Sequence, residues 1–424
     1  MSVEKKVPDI RFEKFSEEWE KKPFGSCFVN VPNNTLSRAD LNHKTGLAKN
    51  IHYGDILIKF GEVLDARNEP LPFITNDDVA NKLKHAALRN GDIIIADAAE
   101  DSMVGKCTEL YNIDEQWILS GLHTIAARPT LPFASKYLGY YLNSSLYHDQ
   151  LLSLMQGTKV LSISKTAIQN TNITFPRSSE EQAQIGNYFQ KLDELMNQHK
   201  QKHDKLSNIK KAMLEKLFPK QGKTIPEIRF KGFSGEWEAV TLGDYTTFRR
   251  GSFPQPYGNK EWYDGEGSMP FVQVVDVSKG LSLVEDTKQK ISVKAQPRSV
   301  FVPKGSVVVT LQGTIGRVAI TQFDSFVDRT ILIFESFSRK TDSTFWAYAI
   351  QNKFDLEKKR APGGTIKTIT KDALSSFGVL IPSTEEQIAI GNYFVKLDAL
   401  TNQHQQQITK LNNIKQACLN KMFV

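Results

Sequence analysis

The sequence predicts an α+β fold with two globular bodies separated by two long helices, which form an antiparallel coiled coil with pseudo-two-fold symmetry. The first observation is a repeat: residues 180–218, EEQAQIGNYFQKLDELMNQHKQKHDKLSNIKKAMLEKLF, align without a gap with residues 385–423, and 25 of 39 positions are identical. The second is a shorter repeat, because Pro8–Glu20 (PDIRFEKFSEEWE) recurs as Pro226–Glu238 with 9 of 13 positions identical. The third is that the intervening stretches are alike only in outline. Each half is therefore an opening segment, a variable body and a closing helix.

The repeats set the domain boundaries. We place a first globular domain at 1–175, a central helix at 176–220, a second globular domain at 221–381 and a C-terminal helix at 382–424. Both globular domains contain strand-like apolar runs that follow a glycine, such as Ile93–Ile95 after Gly91 and Val307–Val309 after Gly305. The bodies are thus predicted to be two diverged copies of one α+β domain.

The closing helices carry the clearest local pattern. Apolar residues recur in both at alternating steps of three and four, which is the heptad seam of a coiled coil. The seam positions include Leu192, His199 and Leu206 in the first helix and Leu397, His404 and Leu411 in the second. Neither helix has an internal proline, so each can run for about 58 Å. A helix with one apolar stripe needs a partner, and the other copy is available in the same chain.

Antiparallel pairing would place the centres of the two helices against each other. His199 and His404 each lie at the middle of a 39-residue segment, within a shared Asn-Gln-His triplet. Two interpretations stay open. The histidines are either polar residues at a break in the seam, or a buried pair that fixes the register, as single polar residues do in other coiled coils.

Composition narrows the class of protein. Of the 424 residues, 40% are hydrophobic and 24% are charged, which is typical of a folded protein. The net charge of +7 favours anionic partners such as nucleic acid, although a solvated surface with a small lysine excess has the same charge. Three widely spaced cysteines exclude a disulfide framework, and no apolar run approaches the roughly 20 residues of a membrane span. We therefore expect a soluble, cytoplasmic protein without a metal site or membrane contact.

Catalytic signatures are absent from the sequence, with one permissive exception. No complete P-loop, Gly-x-Ser-x-Gly elbow, His-Glu-x-x-His motif or Asn/Asp-Pro-Pro-aromatic run occurs. Asp9, Glu20 and Lys22 match the loose PD…ExK pattern of nucleases, in which two carboxylates hold a divalent cation. The second copy of the opening segment lacks the lysine, so we expect this segment to be structural. The aromatic residues expected to pack are Phe12, Phe15 and Trp19.

The remaining chemistry is that of binding. Loops of both bodies hold cations suited to phosphates, and amide and hydroxyl side chains suited to base edges. In the first body, the candidate DNA-binding residues are Asn34, Arg38, Lys44, Lys59, Arg67, Lys106, Thr158 and Lys159. In the second body, they are Arg249, Arg250, Gln255, Tyr257, Gln312, Thr314, Arg317, Thr365, Lys367 and Lys371. Any one of them is also explained as a solvated surface side chain, and it is their clustering in duplicated bodies that favours binding.

The whole arrangement resembles the specificity (S) subunit of a type I restriction-modification enzyme. The resemblance spans essentially the whole chain, and its most specific parts are the opening segments, IRFxxFSxEWE, and the closing helices, EEQxxIGNYFxKLD. It implies that the bodies are target-recognition domains, each reading one half of a split, asymmetric DNA site. The helices would then set the length of the unread gap between the two halves.

The resemblance also implies partners for a chain without catalytic activity of its own. Two methyltransferase (modification) subunits would dock on the helices, translocase-nuclease (restriction) subunits would join them, and double-stranded DNA would be the ligand. S-adenosylmethionine, ATP and Mg²⁺ would belong to those partner subunits, so no cofactor is expected in this chain. Two other classes stay open from the residues alone: a coiled-coil scaffold without DNA specificity, and a metal-dependent nuclease using Asp9, Glu20 and Lys22.

Overall fold

The computed structural model describes residues 7–360 and 371–424. Helices and strands are mixed, and the chain forms two compact units. The first unit comprises residues 1–200 and 405–424, and the second comprises residues 201–404, so each unit contains one variable body and part of both closing helices. Across the described helices, no stretch combines the length and the apolar character that a membrane span requires.

The first body is built from short strands and short helices. Its strands are β1 (Glu20–Pro23), β2 (Phe28–Val31), β3 (Leu41–Asn42), β4 (Ala48–Ile51), β5 (Val63–Asp65), β6 (Phe73–Ile74), β7 (Ile93–Ala96), β8 (Ala98–Ala99), β9 (Cys107–Tyr111), β10 (Trp117–Ser120), β11 (Thr124–Pro129), β12 (Leu161–Ser162) and β13 (Asn172–Phe175). Its helices are α1 (Phe24–Cys27), α2 (Tyr53–Ile58), α3 (Asp77–Lys82), α4 (Tyr137–Leu142), α5 (Ser145–Leu152) and α6 (Lys165–Gln169).

The second body and the two closing helices complete the chain. The first closing helix is α7 (Ser179–Lys216). The strands of the second body are β14 (Glu238–Thr241), β15 (Thr246–Arg250), β16 (Met269–Val272), β17 (Gln289–Ile291), β18 (Val300–Val302), β19 (Val307–Thr310), β20 (Val318–Ile320), β21 (Ser325–Val327), β22 (Ile331–Phe337) and β23 (Gly378–Ile381). The helices that accompany them are α8 (Leu242–Tyr245), α9 (Ser343–Arg360), α10 (Lys371–Ser375) and the second closing helix, α11 (Thr384–Lys421).

The two bodies share most of the topology of one sheet, which we call the main sheet. It has five strands in the order β2-β11-β7-β9-β5 in the first body and four in the order β15-β22-β19-β20 in the second. The first four strands of each order pair antiparallel. Each body also has a second, four-stranded sheet with one parallel pair, β4 with β10 at the edge of one and β16 with β21 in the centre of the other. The shared main sheet agrees with the prediction that the bodies are diverged copies of one α+β domain.

A central strand of each main sheet lies between two hydrophobic cores. Successive side chains of a strand point to opposite faces. Accordingly, Ile93 and Ile95 of β7 lie in one core with residues of α4 and α7, whereas Ile94 lies in a second core with residues of the second sheet. In β19, Val307 and Val309 likewise lie in one core, whereas Val308 lies in another on the opposite face of the strand. Burial on both faces explains why these strands read as continuous apolar runs, IIIA and VVVT.

The closing helices pair antiparallel within each unit. In the first unit, the Tyr188 hydroxyl lies 3.6 Å from the Cys418 Sγ, and the Asp193 carboxylate lies 2.6 Å from the Lys415 Nζ. Residue numbers therefore rise along α7 as they fall along α11. The second unit shows the same direction, because Lys210 pairs with Asp398 and the ring of Phe218 stacks near that of Phe394. The predicted orientation is thus observed in both units, and the meeting of His199 with His404 stays a prediction.

The predicted seam residues are buried or partly buried. Leu192 and Leu397 are each 7% exposed, and they belong to the main cores of the first and second units. Leu206 packs against the core of the second unit, and Leu411 packs against the core of the first. The apolar stripe of each helix therefore faces the core of one unit along its first half and the core of the other unit along its second half.

One repeated aspartate connects three elements in each unit. Asp193 of α7 accepts hydrogen bonds from the Tyr140 hydroxyl of α4 (2.7 Å) and from the Lys415 Nζ of α11 (2.6 Å). In the second unit, Asp398 of α11 accepts from Tyr348 of α9 and from Lys210 of α7. Each aspartate thereby joins the body, its closing helix and the other closing helix. We call these two sets of residues the Asp–Tyr–Lys junctions.

The opening segments are anchored on the closing helices by a buried ion pair. Arg11 donates to both carboxylate oxygens of Glu181, from Nε at 2.7 Å and from Nη2 at 2.8 Å. Arg229 and Glu386 repeat this bidentate pair at 2.7 and 2.6 Å. Trp19 is buried, with its ring edge-on to that of Phe423. These contacts confirm the structural role predicted for the opening segment.

The nuclease interpretation of the first opening segment is not supported. Glu20 and Lys22 lie in β1, which pairs with β13, and the Lys22 Nζ lies 3.2 Å from the Glu20 carboxylate. Within residues 7–360 and 371–424, no group of three or more His, Cys, Asp and Glu side chains is arranged to hold a metal ion. Glu20 and Lys22 therefore serve a strand pairing.

Removing one carboxylate of the anchoring pair should destabilise the second unit. Glu386→Ala leaves the guanidinium of Arg229 buried without its counterion, because the two side chains are only 2% and 15% exposed. We expect a loss of about 3–5 kcal/mol in the free energy of unfolding, measured by chemical denaturation. Glu385→Ala is the matched control, since Glu385 is the exposed neighbour and its loss should cost less than about 0.5 kcal/mol. Equal effects of the two variants would contradict the anchoring role.

Glu109 of β9 is a buried carboxyl group with a raised pKa, and it contacts the start of α4. Glu109 is 1% exposed and accepts hydrogen bonds from the backbone N–H groups of Lys136 (2.5 Å) and Gly139 (2.9 Å). Burial raises the pKa of Glu109 to about 7, although these N–H donors oppose the shift. The folded state therefore holds this proton more tightly than the unfolded state does.

The stability of the first unit should depend on pH through Glu109. Protonated Glu109 stabilises the folded state fully at pH values below its pKa in the unfolded chain. This stabilisation is lost as the pH rises through the folded-state pKa of about 7. Relative to the Glu109→Gln variant, the free energy of unfolding of the native chain should fall by about 3 kcal/mol between pH 4.5 and 7, at about 1.4 kcal/mol per pH unit. Denaturation of both proteins across pH 4.5–8.5 measures this difference, which should be flat above pH 8. A constant difference across the whole range would refute it.

Candidate nucleic-acid interface

In each body, two loops meet where a pair of parallel strands ends. Parallel strands carry their carboxyl ends to the same edge of a sheet, and that edge is where ligands bind in many α/β proteins. In the first body, His52–Tyr53 follow β4 and Gly121–His123 follow β10. In the second body, Gln273–Asp276 follow β16 and Asp328–Thr330 follow β21. The duplicated topology thus creates two equivalent candidate sites.

The site of the first body is an aromatic cluster. The ring of Tyr53 lies 4.6 Å from that of His52 and 5.3 Å, edge-on, from that of His123. The exposed His123 has a φ of +53°, and its Nδ1 lies 3.2 Å from the Asp97 carboxylate. Burial lowers the pKa of His52, and the nearby Arg38 lowers it further, which favours a neutral ring. Together the rings form a partly exposed surface on which a base or sugar can pack.

The site of the second body is an open groove of about 440 Å³. It is lined by Tyr257, Gln273, Val274, Val275, Lys288, Gln289, Asp328, Arg329 and Thr330. The Tyr257 hydroxyl donates to the Asp328 carboxylate. Burial and this hydrogen bond both raise the pKa of Tyr257 above its usual range, so the hydroxyl keeps its proton and remains a donor. The Arg329 guanidinium lies over the Tyr257 ring, 5.2 Å from its centroid. The groove therefore presents cationic, amide and hydroxyl groups on one open surface.

Most of the candidate residues predicted in the first body lie on its surface. Lys44, Arg67, Thr158 and Lys159 are exposed. Arg38 and Lys59 are also exposed and form ion pairs within the body, Arg38 with Asp55 (3.1 Å) and Lys59 with Glu69 (2.8 Å). Surface ion pairs contribute little to stability, so these cations can exchange their partners for phosphates.

Two predictions for the first body need correction. Asn34 is buried, its Nδ2 donates to Asn50 (2.8 Å) and to the Ser120 carbonyl (2.9 Å), and it is therefore unavailable to a base edge. Lys106 is half-buried and its Nζ donates to the Leu57 carbonyl at 2.9 Å. Burial also lowers the pKa of Lys106. The polar groups of both side chains are thus held by contacts within the body.

The predicted residues of the second body divide in a similar way. Arg250, Gln255, Gln312 and Thr314 are exposed, and Tyr257 lines the groove. A Cβ built on Gly313 would lie 3.5 Å from Val274, so the loop of Gln312 and Thr314 runs beside the groove.

Other cations of the second body are held by internal partners. Arg249 pairs with Glu335 at 2.5 Å. Arg317 needs correction as a base-reading candidate, because it is half-buried and its Nη1 donates to the Val277 carbonyl at 3.3 Å. Thr365 and Lys367 lie outside the described residues, and Lys371 begins α10.

Sequence reasoning missed the residues that follow the parallel strands. These residues are His52, Tyr53 and His123 in the first body and Gln273 and Arg329 in the second. The available signal was their position directly after apolar strand-like runs, as in Phe271–Val272 before Gln273. The pairing of those strands is non-local, so the sequence pattern did not show which loops would meet.

Comparison with known proteins supplies the family. A family model described as the type I restriction modification DNA specificity domain matches residues 48–208 and 234–413. A protein of Methanocaldococcus jannaschii named as the MjaX type I restriction enzyme specificity subunit is 25% identical over 353 residues, which are 78% of this chain and 77% of the relative.

Two solved structures share the fold. The crystal structure of a type I restriction-modification system S subunit from M. genitalium has a TM-score of 0.63 at 15% identity and covers 99% of both chains. A chain from a study of complex assembly and conformational transition of the type I R-M system has a TM-score of 0.53 at 18% identity, covering 97% of this chain and 98% of that one.

Proposed function

Because this chain belongs to the type I restriction-modification DNA specificity family, we propose that each body reads one half of a split, asymmetric site in double-stranded DNA. As a specificity subunit, the chain recognises DNA without catalysing a reaction and works with the other subunits of its restriction-modification complex. Neither a scaffold without DNA specificity nor an independent nuclease has support.

The duplicated topology carries the proposal of two half-sites. The first four strands of the main sheet pair in the same order in both bodies, and both bodies place two loops at the end of one parallel pair. The loops themselves differ completely, with an aromatic cluster around Tyr53 in one body and the cationic groove of Arg329 in the other. Two equivalent scaffolds with different reading surfaces suit a site whose halves differ in sequence.

Contacts in the proposed complex fall into two classes. Exposed cations such as Arg38, Lys44 and Arg250 would bind phosphates and fix the register, whereas loop side chains such as Gln312 would read base edges. Phosphate contacts should make the affinity fall as salt rises. The net charge of +7 agrees with such a ligand.

The closing helices would set the gap between the half-sites and dock two methyltransferase (modification) subunits, which translocase-nuclease (restriction) subunits would join. Each helix is 38 residues long and contributes to both units. S-adenosylmethionine, ATP and Mg²⁺ would be bound by those partners. The sequence of this chain contains no complete P-loop and no Asn/Asp-Pro-Pro-aromatic motif.

A substitution in the first body should alter one half-site only. We expect Tyr53→Ala to remove a packing surface and to reduce discrimination at one or two base pairs by about 1–3 kcal/mol each. Mapping the methylated sites of the complex assembled with its methyltransferase subunits measures the preference. The half-site read by the second body is the internal control and should be unchanged. A change in both halves would contradict the modular reading.

Lengthening the closing helices should lengthen the gap. Seven residues inserted after Lys200 and seven after His404 add about two turns, or about 10 Å, and keep the heptad phase. The unread gap should then grow by about three base pairs at 3.4 Å each, with both half-sites unchanged. The same insertion between the exposed residues Asp101 and Ser102 is the control and should leave the gap as it was. An unchanged gap in the helix variant would exclude the proposed role of the helices.

A further inference from the structure

We propose that Arg329 reads a guanine in the half-site recognised by the second body. The inference rests on the proposed function and names one specificity-determining residue within it. Arg329 was not among the candidates that the sequence suggested, and it is identified by the contacts that hold it at the groove.

The loop that carries Arg329 is held by one buried carboxylate. Asp328 is 4% exposed, its Oδ1 accepts from the backbone N (2.9 Å) and the Oγ1 (2.6 Å) of Thr330, and its Oδ2 accepts from the Tyr257 hydroxyl. Its backbone N donates to the carbonyl of Val272 at the end of β16. The residue before Arg329 and the residue after it are therefore both fixed, which leaves the arginine side chain as the variable part of the loop.

The Arg329 guanidinium is positioned by an aromatic ring and not by an ion pair with a carboxylate. It lies over the ring of Tyr257, 5.2 Å from the centroid, and within the described chain Arg329 forms no ion pair with a carboxylate. Two other arginines of the same unit differ in this respect, because Arg249 pairs with Glu335 and Arg339 pairs with Glu238. Stacking on a ring restricts the guanidinium plane but leaves its edge N–H groups available as donors.

The surroundings suit a base edge better than a phosphate alone. The groove of about 440 Å³ is open and is lined by amides, a hydroxyl and a second cation, Lys288, at its exposed side. Val275 on the opposite loop is 62% exposed and offers an apolar contact beside the arginine. The one carboxylate of the groove lining, Asp328, is buried and accepts hydrogen bonds from Tyr257 and Thr330, whereas the two cations of the lining, Arg329 and Lys288, are exposed.

Guanine is the base that matches an arginine fork. Its O6 and N7 are two adjacent acceptors in the major groove, and a guanidinium donates to both at once. Adenine offers a donor at the matching position, and the pyrimidines offer one acceptor or donor each. Tyr257 acts here as a positioning residue, because its ring lies under the guanidinium and its hydroxyl anchors the loop.

The test compares three variants of the full chain, each assembled with its methyltransferase subunits. Methylated sites are mapped, and binding is measured for duplexes that carry each base pair at every position of both half-sites. Arg329→Lys keeps the charge and removes the fork. We expect it to lose about 10- to 100-fold of the preference for one G·C pair in one half-site, with little change at other positions. Arg329→Ala should lose the same preference.

Matched controls distinguish a base-specific contact of Arg329 from the general electrostatic effect of a cation near DNA. Arg298→Lys alters another arginine stacked on a ring of the same unit, Trp262, outside the groove lining, and should change no base preference. Lys288→Ala should weaken binding evenly across sequences, as loss of a phosphate contact does. Retention of the remaining base preferences within the same half-site shows in every variant that the second body folds and binds.

Two results would overturn the inference while leaving the proposed function intact. Either Arg329→Ala keeps the native discrimination at every position, or it weakens binding to all sequences equally, as loss of a phosphate contact does. A native complex that shows no sequence preference in either half-site would instead refute the proposed function, and the inference with it. A native complex with two intact half-sites and an unaltered Arg329→Ala profile refutes the inference alone.

Discussion

The two Asp–Tyr–Lys junctions are the contacts on which the architecture depends. Asp193 and Asp398 each accept hydrogen bonds from a tyrosine of the body helix and from a lysine of the other closing helix. Partly buried charges need a partner, and here one carboxylate satisfies two donors from separate elements. The junction therefore ties the orientation of each body to the pairing of the helices. In the first unit, Glu62 of the body also contacts Lys415, at 2.9 Å.

Charge along the closing helices explains the direction of their pairing. Residues 180–195 hold four carboxylates and one lysine, whereas residues 405–421 hold three lysines and no carboxylate. The second unit repeats the contrast, with three carboxylates and one lysine in 385–400 against five lysines and two carboxylates in 201–216. Antiparallel pairing brings acidic starts against basic ends, and it also opposes the helix dipoles. Parallel pairing would place like charges together.

Duplication separates the residues that hold the fold from those that we propose to read DNA. The repeated residues, among them Arg11, Glu181 and Asp193 with their second copies, make buried contacts between elements. The loops at the ends of the parallel strands have diverged, because nothing in the fold constrains their exposed side chains. One scaffold can thus carry two unlike reading surfaces, which is what a split, asymmetric site requires of a specificity subunit.

The sequence by itself determined the duplication, the α+β class, the long helices and the structural role of the opening segments, because repeats and heptad periodicity are local signals. Only the tertiary structure decided which polar loop residues face solvent. Asn34, Lys106 and Arg317 read as DNA ligands in the sequence, yet they donate to carbonyls or amides inside the bodies. The sequence did not predict a role for Arg329 or Tyr53. The strands that bring their loops together are far apart in the sequence, and no local pattern predicts that they pair.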